Sequence, residues 1–200
     1  MIKMEIIHLP KPLLKGRISV EEALYTRHST RSFSTDALTI KEVSQVLWAA
    51  YGRNAYGKKT VPSAGASYPF DIYLVAGDII GLKSGLYQYD SEKHDLITIR
   101  NIDIRKAIAE AAYGQMFVCY APAIIILVAR FARTTRFYGK RGERYVFIDS
   151  GHIGQNISLQ VEAIGLAACM VGAFDDEKIS EILSVKGDTV YIIPVGREKA

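Results

Sequence analysis

The sequence predicts a single domain of the α/β or α+β class, and three observations carry that prediction. Strand-like apolar runs and helical periodicities intermix along most of the chain. No linker, internal repeat or low-complexity stretch separates them. The 200 residues, 49% hydrophobic and 23% charged, suffice for one core without disulfide or metal staples.

The elements follow in order. Ser19-Val-Glu-Glu22 has the spacing of a capping box and opens a short helix through about Arg27. Thr39-Ile-Lys-Glu42 repeats the signature. Behind it Ile40, Val43, Val46, Leu47 and Ala50 fall at helical spacing, which predicts an amphipathic helix over 39–51. Arg53 to Gly65 reads as a polar loop broken by Gly57, Pro62 and Gly65. Asp71 to Ala76 is β-rich and stops at Gly77; short strands follow near 86–90 and 95–100, then a helix from Ile102 to about Tyr113. Ala123 to Ala129 is a continuous apolar run rich in isoleucine, the pattern of a central strand covered on both faces.

Glu143 to Ile164 is the longest helical candidate, with Asp149, His152, Gln155, Asn156 and Gln160 inside it. Gly151 and Gly154 each weaken a helix by about 1 kcal/mol relative to alanine, which points to close approach of another helix. Leu166 to Gly172 reads as a strand, Asp175 as the cap of a helix to about Leu183, and Val190 to Val195 as the last strand. Residues 1–18 form an N-terminal extension before the domain at 19–200.

Several function classes fall away. Cys119 and Cys169 stand fifty positions apart with no Cys-x-x-Cys, which excludes a disulfide framework and a cysteine-rich zinc module. The N-terminus, broken by charges and Pro10, is not a signal peptide. The longest apolar run, Ala121 to Ala129, is far shorter than the roughly 20 residues of a spanning helix. The expectation is a cytoplasmic protein with no membrane partner. Four histidines, at 8, 28, 94 and 152, share no metal-ligand spacing, so no metal is expected.

Net charge is +4, and the basic residues are scattered: Arg27, His28 and Arg31; Arg53, Lys58 and Lys59; then Arg130, Arg133, Arg136, Lys140, Arg141 and Arg144. Nucleic acid would favour a continuous stripe with a recognisable motif, so no nucleic-acid partner is expected. A small anion fits better, because a phosphate needs only two or three converging donors. Gly52-Arg-Asn-Ala-Tyr-Gly57-Lys58 imitates a Walker loop, but Lys59 stands where Ser or Thr belongs and a helix precedes it. No Gly-x-Gly-x-x-Gly supports a Rossmann site. Asp149, Ser150 and His152 suggest a hydrolase, yet on a helix Ser150 projects away from the other two and no nucleophile elbow lifts it. Polar groups satisfied inside a buried helix is the favoured reading.

Three segments make chemical sense together. Arg27-His28-Ser29-Thr30-Arg31-Ser32-Phe33 supplies guanidinium, hydroxyl and backbone donors suited to a phosphate monoester, or else is a solvated basic turn. Pro62-Ser63-Ala64-Gly65-Ala66-Ser67-Tyr68-Pro69 joins small residues to a rigid turn, which lets backbone approach a flat ligand. Val171-Gly172-Ala173-Phe174-Asp175 offers the Gly172 and Ala173 N–H groups at the start of a helix.

In this order the segments resemble the nitroreductase family of FMN-dependent oxidoreductases, most closely its SagB-type dehydrogenase branch. Tyr138-Gly139-Lys-Arg141-Gly-Glu-Arg144-Tyr145, Gly151-His152-Ile-Gly154-Gln155-Asn156 and the closing Pro194-Val195-Gly196-Arg197 extend the likeness from about Ser19 to Arg197. The resemblance implies an α+β sandwich: a mixed, mainly antiparallel sheet flanked by helices, in a homodimer built on a long central helix with FMN at the interface. It implies that Arg27, His28 and Ser29 hold the FMN phosphate and ribityl end, with Arg197 as a last phosphate ligand. Arg31 would meet the flavin N1/O2 edge, where a cation stabilises the reduced, anionic flavin. Pro62, Ser63, Ala64 and Gly65 would come from the opposite subunit. The Gly172 N–H would donate to flavin N5 and the Ala173 N–H to O4. Where many members have asparagine and glutamine, this chain has Ala66 and Tyr68, so those side-chain contacts do not carry over. The implied reaction is ping-pong: NADH or NADPH reduces the flavin, and a small organic acceptor reoxidises it, with no side chain as nucleophile. Tyr113, Gln115 and Tyr138 are candidates for the substrate side. Azoline oxidation in a modified peptide and a non-catalytic flavin-binding role are the alternatives.

Overall fold

The computed structural model describes residues 5–199. Strand β1 (Ile6–His8) precedes helix α1 (Val20–Thr26), whose N-cap Ser19 accepts the Glu22 N–H at 3.1 Å. The two-residue β2 (Leu38–Thr39) runs into α2 (Ile40–Tyr51), where the capping box closes in both directions between Thr39 and Glu42. A 3₁₀ turn at Ala64–Ala66 leads to β3 (Phe70–Ala76), β4 (Ile79–Ile80), β5 (Gly85–Asp90) and β6 (Asp95–Arg100). Helices α3 (Arg105–Ala111) and α4 (Phe117–Tyr120) precede β7 (Ala123–Ala129), followed by α5 (Ala132–Tyr138) and the 23-residue α6 (Arg141–Ala163). The chain closes through β8 (Ala167–Ala168), α7 (Asp176–Leu183) and β9 (Asp188–Gly196).

The main sheet has seven strands in the order β1-β6-β5-β3-β7-β9-β8, and each neighbouring pair is antiparallel. Among the described residues, parallel pairing is confined to β2 with β4 and to a bridge between Ser29 and Ala168. Successive side chains of a strand point to opposite faces, so the buried central strands feed two core layers. Ile72, Leu74, Ile125, Leu127 and Ile193 pack with Val43, Leu47, Ile153 and Ile157 of α2 and α6. On the other face Val75, Ile124, Ile126 and Ile192 meet Ile108, Val118 and Ile179 of α3, α4 and α7. This is the α+β sandwich, with helices on both sides of a mainly antiparallel sheet. Part of the segment before residue 19 joins it: β1 is an edge strand on β6, and the Leu13 N–H donates to Gln45 Oε1 at 2.8 Å.

Some boundaries differ from expectation for identifiable reasons. The helix expected from Ile102 begins at Arg105, because Asp103 folds back to accept the Arg105 N–H at 3.0 Å and its guanidinium. The strand expected over 166–172 shrinks to Ala167–Ala168. At Cys169 the facing residue is Pro194, which has no N–H to donate and only accepts the Cys169 N–H at 3.3 Å, and pairing resumes beyond it as an isolated bridge between Val171 and Ile192. Helix α5 was not expected. Its Thr134-Thr135 pair is a poor helix former, but buried Thr134 is held by Ser67, the two hydroxyls lying 2.7 Å apart. The glycines of α6 divide: a Cβ on Gly154 would touch Met170 and Tyr191 of the same chain, whereas one on Gly151 would meet open space.

Candidate active site

The first motif is fastened between β8 and the end of the chain. The Thr30 N–H donates to the Ala168 carbonyl at 3.1 Å, and the Ser34 N–H donates to the Arg197 carbonyl at 2.9 Å. Arg27 Nε donates to Ser158 Oγ of α6 at 2.9 Å. Exposed Arg31 lies with its guanidinium 5.9 Å from the Phe117 ring centre, and Ser29 is exposed beside it. Two expected donors are already engaged. Arg197 Nη2 donates to Glu42 Oε1 at 2.7 Å, and His28 Nε2 lies 3.1 Å from Glu198 Oε1. Burial opposes ionisation of Glu42, but the Thr39 N–H, the Arg197 guanidinium and the Thr39 hydroxyl outweigh it and hold the carboxyl below its usual range.

Glu198 raises the His28 pKa, chiefly through their hydrogen bond, with the Thr26 carbonyl adding to it. A histidine pKa raised by folding contributes stability that is complete below the unfolded value of about 6.5 and lost as pH rises through the raised value. The expected result is a His28 midpoint above 6.5 in an NMR titration, moving back toward it in Glu198→Gln. A midpoint indifferent to that substitution would contradict the pairing.

The second motif is a strained loop. Gly65, Ala66 and Tyr68 have φ of +57°, +52° and +44°, and left-handed backbone at a non-glycine residue costs on the order of 1–3 kcal/mol. A Cβ on Gly65 would lie 2.6 Å from the Tyr138 hydroxyl, so only glycine lets the backbone come this close. Tyr138 in turn meets Tyr145 edge-to-face at 5.1 Å. The Ser63 hydroxyl donates to Asp149 Oδ2 of α6 at 2.6 Å and accepts the Tyr68 N–H at 3.0 Å. Burial pushes the Asp149 carboxyl up, against the Ser63 hydroxyl, His152 and the Ala64 N–H, which pull it down. Of the pair in the hydrolase reading, Asp149 is thus the loop anchor, while the buried His152 Nδ1, 4.0 Å from Asp149 Oδ1, finds no hydrogen-bond partner among the described residues.

In the third motif Gly172 and Ala173 are exposed, and no acceptor for either N–H is found among the described residues. Gln115 Nε2 donates to the Ala173 carbonyl at 3.0 Å, which fixes that peptide's direction. As expected, Asp175 caps α7, accepting the Lys178 N–H at 3.1 Å, and Gly172 and Ala173 precede that cap. Tyr191 lies between Gly154 and Gly172, within contact of a Cβ on either. Of the three substrate-side candidates, Gln115 sits at the third motif, Tyr138 at the second, and Tyr113, 70% exposed, at the turn after α3.

Helix α6 sets the spacing. The first motif attaches at Ser158 and the second at Asp149, nine residues apart. At 1.5 Å and 100° per residue that is about 14 Å along the axis and roughly 180° around it. One chain therefore holds the two motifs on opposite sides of its longest helix. The basic residues outside these motifs are partly spent on structure. Arg133 Nη2 lies 2.7 Å from Asp71 Oδ1, and Lys59 of the Walker-like stretch, 9% exposed, is bound by Ser91 and Glu92. Three residues that organise the site carried no functional expectation, Glu42, Ser158 and Glu198, and Asp149 entered only through the disfavoured hydrolase reading. Glu42 was visible only as a cap residue.

This fold, with anion-type donors on one side of α6 and open backbone donors at Gly172 and Ala173, has the form of an oxidoreductase of the nitroreductase class. The chain belongs to the nitroreductase family, whose model matches residues 24–197. It is 43% identical over 182 residues to a Methanocaldococcus jannaschii protein provisionally named a nitroreductase, covering 90% of this chain and 92% of that one. A trifolitoxin-processing protein of Rhizobium leguminosarum is 32% identical over 130 residues, 58% of this chain and 32% of its own length, and links the chain to the SagB-type branch. Among solved structures, a provisionally named nitroreductase of Ralstonia eutropha superposes with a TM-score of 0.85 at 29% identity, over 98% of this chain and 90% of that one.

Proposed function

We propose that the chain is an FMN-dependent oxidoreductase that takes hydride from NADH or NADPH and delivers it to a small organic acceptor. The observation that carries the reading is the pair of exposed backbone donors at Gly172 and Ala173, together with Arg27, Ser29 and Arg31 on an adjoining segment. That donor set suits a ligand with an anionic tail and a planar ring bearing hydrogen-bond acceptors. Bound FMN would supply hydride transfer at N5, chemistry that no side chain offers. Arg27, His28 and Ser29 would hold the phosphate end, and Arg31 would meet the N1/O2 edge. The Gly172 N–H would face N5 and the Ala173 N–H would face O4. Arg197, turned onto Glu42, would act on the phosphate from that position or brace the loop behind it.

A homodimer is part of this reading. The outward face of α6 carries Phe147, Ile148, Gly151 and Gln155, all exposed, and Gly151 leaves room for a second helix at close range. Because the second motif lies across α6 from the first, a second copy of the chain is the natural source of Pro62, Ser63, Ala64 and Gly65 beside each cofactor. The likeness to the trifolitoxin-processing protein favours a second reading, oxidation of azoline rings in a modified peptide.

The test is the visible spectrum of the purified protein, with and without added FMN, followed by anaerobic NADH and NADPH. The reading expects flavin bands that travel with the protein and bleach on addition of nicotinamide. Bound flavin that nicotinamide does not reduce favours the peptide reading, or a flavin-binding protein without turnover if an azoline peptide is also left unoxidised. Colourless protein that ignores FMN ends the flavin reading.

A further inference from the structure

Asp149 is a buried ionisable group that the reaction does not use. Its side chain is 5% exposed, in the middle of α6, where an apolar residue would fill the space without needing partners. Its partners converge on one place. Oδ2 accepts the Ser63 hydroxyl at 2.6 Å, and the Ser63 oxygen in turn accepts the Tyr68 N–H at 3.0 Å. A short relay thus ties both ends of the 63–68 loop to one carboxylate. Between those ends lie the left-handed residues Gly65 and Ala66, with Tyr68 at the far tie. Conformations of this kind persist only where surrounding contacts over-determine them. On the far side, the Tyr138 hydroxyl comes close to Gly65.

We propose that Asp149 is a positioning residue: through Ser63 it clamps loop 62–68 in the left-handed conformation that presents the loop's small residues to the cofactor. The role rests on the flavin reading above. It differs from a plain core contact because the carboxylate holds the Ser63 hydroxyl, which itself holds the Tyr68 N–H, so one buried group fixes the loop at two positions. In Asp149→Asn the Ser63 hydroxyl loses its charged acceptor and is left with a neutral amide oxygen, which holds it less strongly. Ser63→Ala breaks the relay at its centre, removing the donor to Asp149 and the acceptor for Tyr68.

The experiment combines hydrogen exchange on the cofactor-free protein with FMN titration by flavin fluorescence, on the full chain. Wild type is expected to protect the Tyr68 amide and to bind FMN. Asp149→Asn and Ser63→Ala are each expected to lose that protection locally and to weaken FMN binding by about tenfold. The double variant is expected to be no weaker than either single, since both break one relay. If Asp149→Asn does not fold, Ser63→Ala, on a partly exposed loop, carries both readouts alone. Unchanged amide protection in the variants overturns the clamp. Lost protection with unchanged FMN affinity, or additive losses in the double variant, overturns its role toward the cofactor. A wild-type chain that binds no FMN overturns the flavin reading and this role with it, and that result appears before any substitution is made.

Discussion

Arg27→Ala is expected to weaken FMN binding by about ten- to a hundredfold, the worth of one or two charge-assisted hydrogen bonds to phosphate. Arg27 sits at the C-cap of α1, and only its Nε is committed, to Ser158 of α6. The two terminal nitrogens of the guanidinium remain for a bidentate grip, and the Ser158 bond fixes the plane they act in. Arg27→Lys keeps the charge but loses the fork and the Ser158 geometry, so it is expected to fall between wild type and alanine. Fluorescence titration of the apoprotein with FMN, at fixed ionic strength, reads both variants. Wild-type affinity in Arg27→Ala would move the phosphate site elsewhere. The same substitution is expected to leave folding nearly unchanged, since Arg27 is only partly buried and its one bond is to a neutral hydroxyl.

The largest expected loss of stability follows Ile126→Ala. Ile126 stands at the centre of β7, opposite Tyr73 of β3 on one side and Ile192 of β9 on the other. It is fully buried in the layer formed with α3, α4 and α7. Neighbours held by sheet hydrogen bonds on both sides cannot collapse into the space left behind. The cost is therefore about 2–5 kcal/mol, which for a chain of this length lowers Tm by roughly 4–20 °C. Ile126→Val removes a single methylene and is expected to cost about 0.5–1.5 kcal/mol. Thermal unfolding followed by circular dichroism ranks the three proteins. An alanine variant that melts within about a degree of wild type would mean that this layer repacks freely.

Where an element rests on local chemistry, its position was legible in the residues. The Thr39–Glu42 box and the apolar spacing behind it define α2 almost to the residue. The run Ala123 to Ala129 is β7, buried along its whole length, although both its neighbours are antiparallel. Asp175 caps α7 as its sequence context indicates. Short elements that exist only because something pairs with them were not legible. β1 and β4 are held by β6 and β2, and α5 forms from a weak local sequence because Ser67 and Asp71 fasten Thr134 and Arg133 to it. The strand after α6 was overdrawn because its partner's proline lies more than twenty residues ahead in the chain.

The site divides along the same line. Residue types and their order determined by themselves which segments are rich in hydrogen-bond donors, and to which family the chain belongs, because those are properties of short contiguous stretches. Partnership was decided only in three dimensions. That Arg197 is turned onto Glu42, that His28 leans on Glu198, that Arg27 is braced by Ser158 and that Asp149 grips Ser63 all depend on residues 86 to 170 positions apart. A sequence fixes what each side chain can donate or accept. Which donor is already spent, and which is left for a ligand, is set by the packing that brings distant segments within 3 Å of one another.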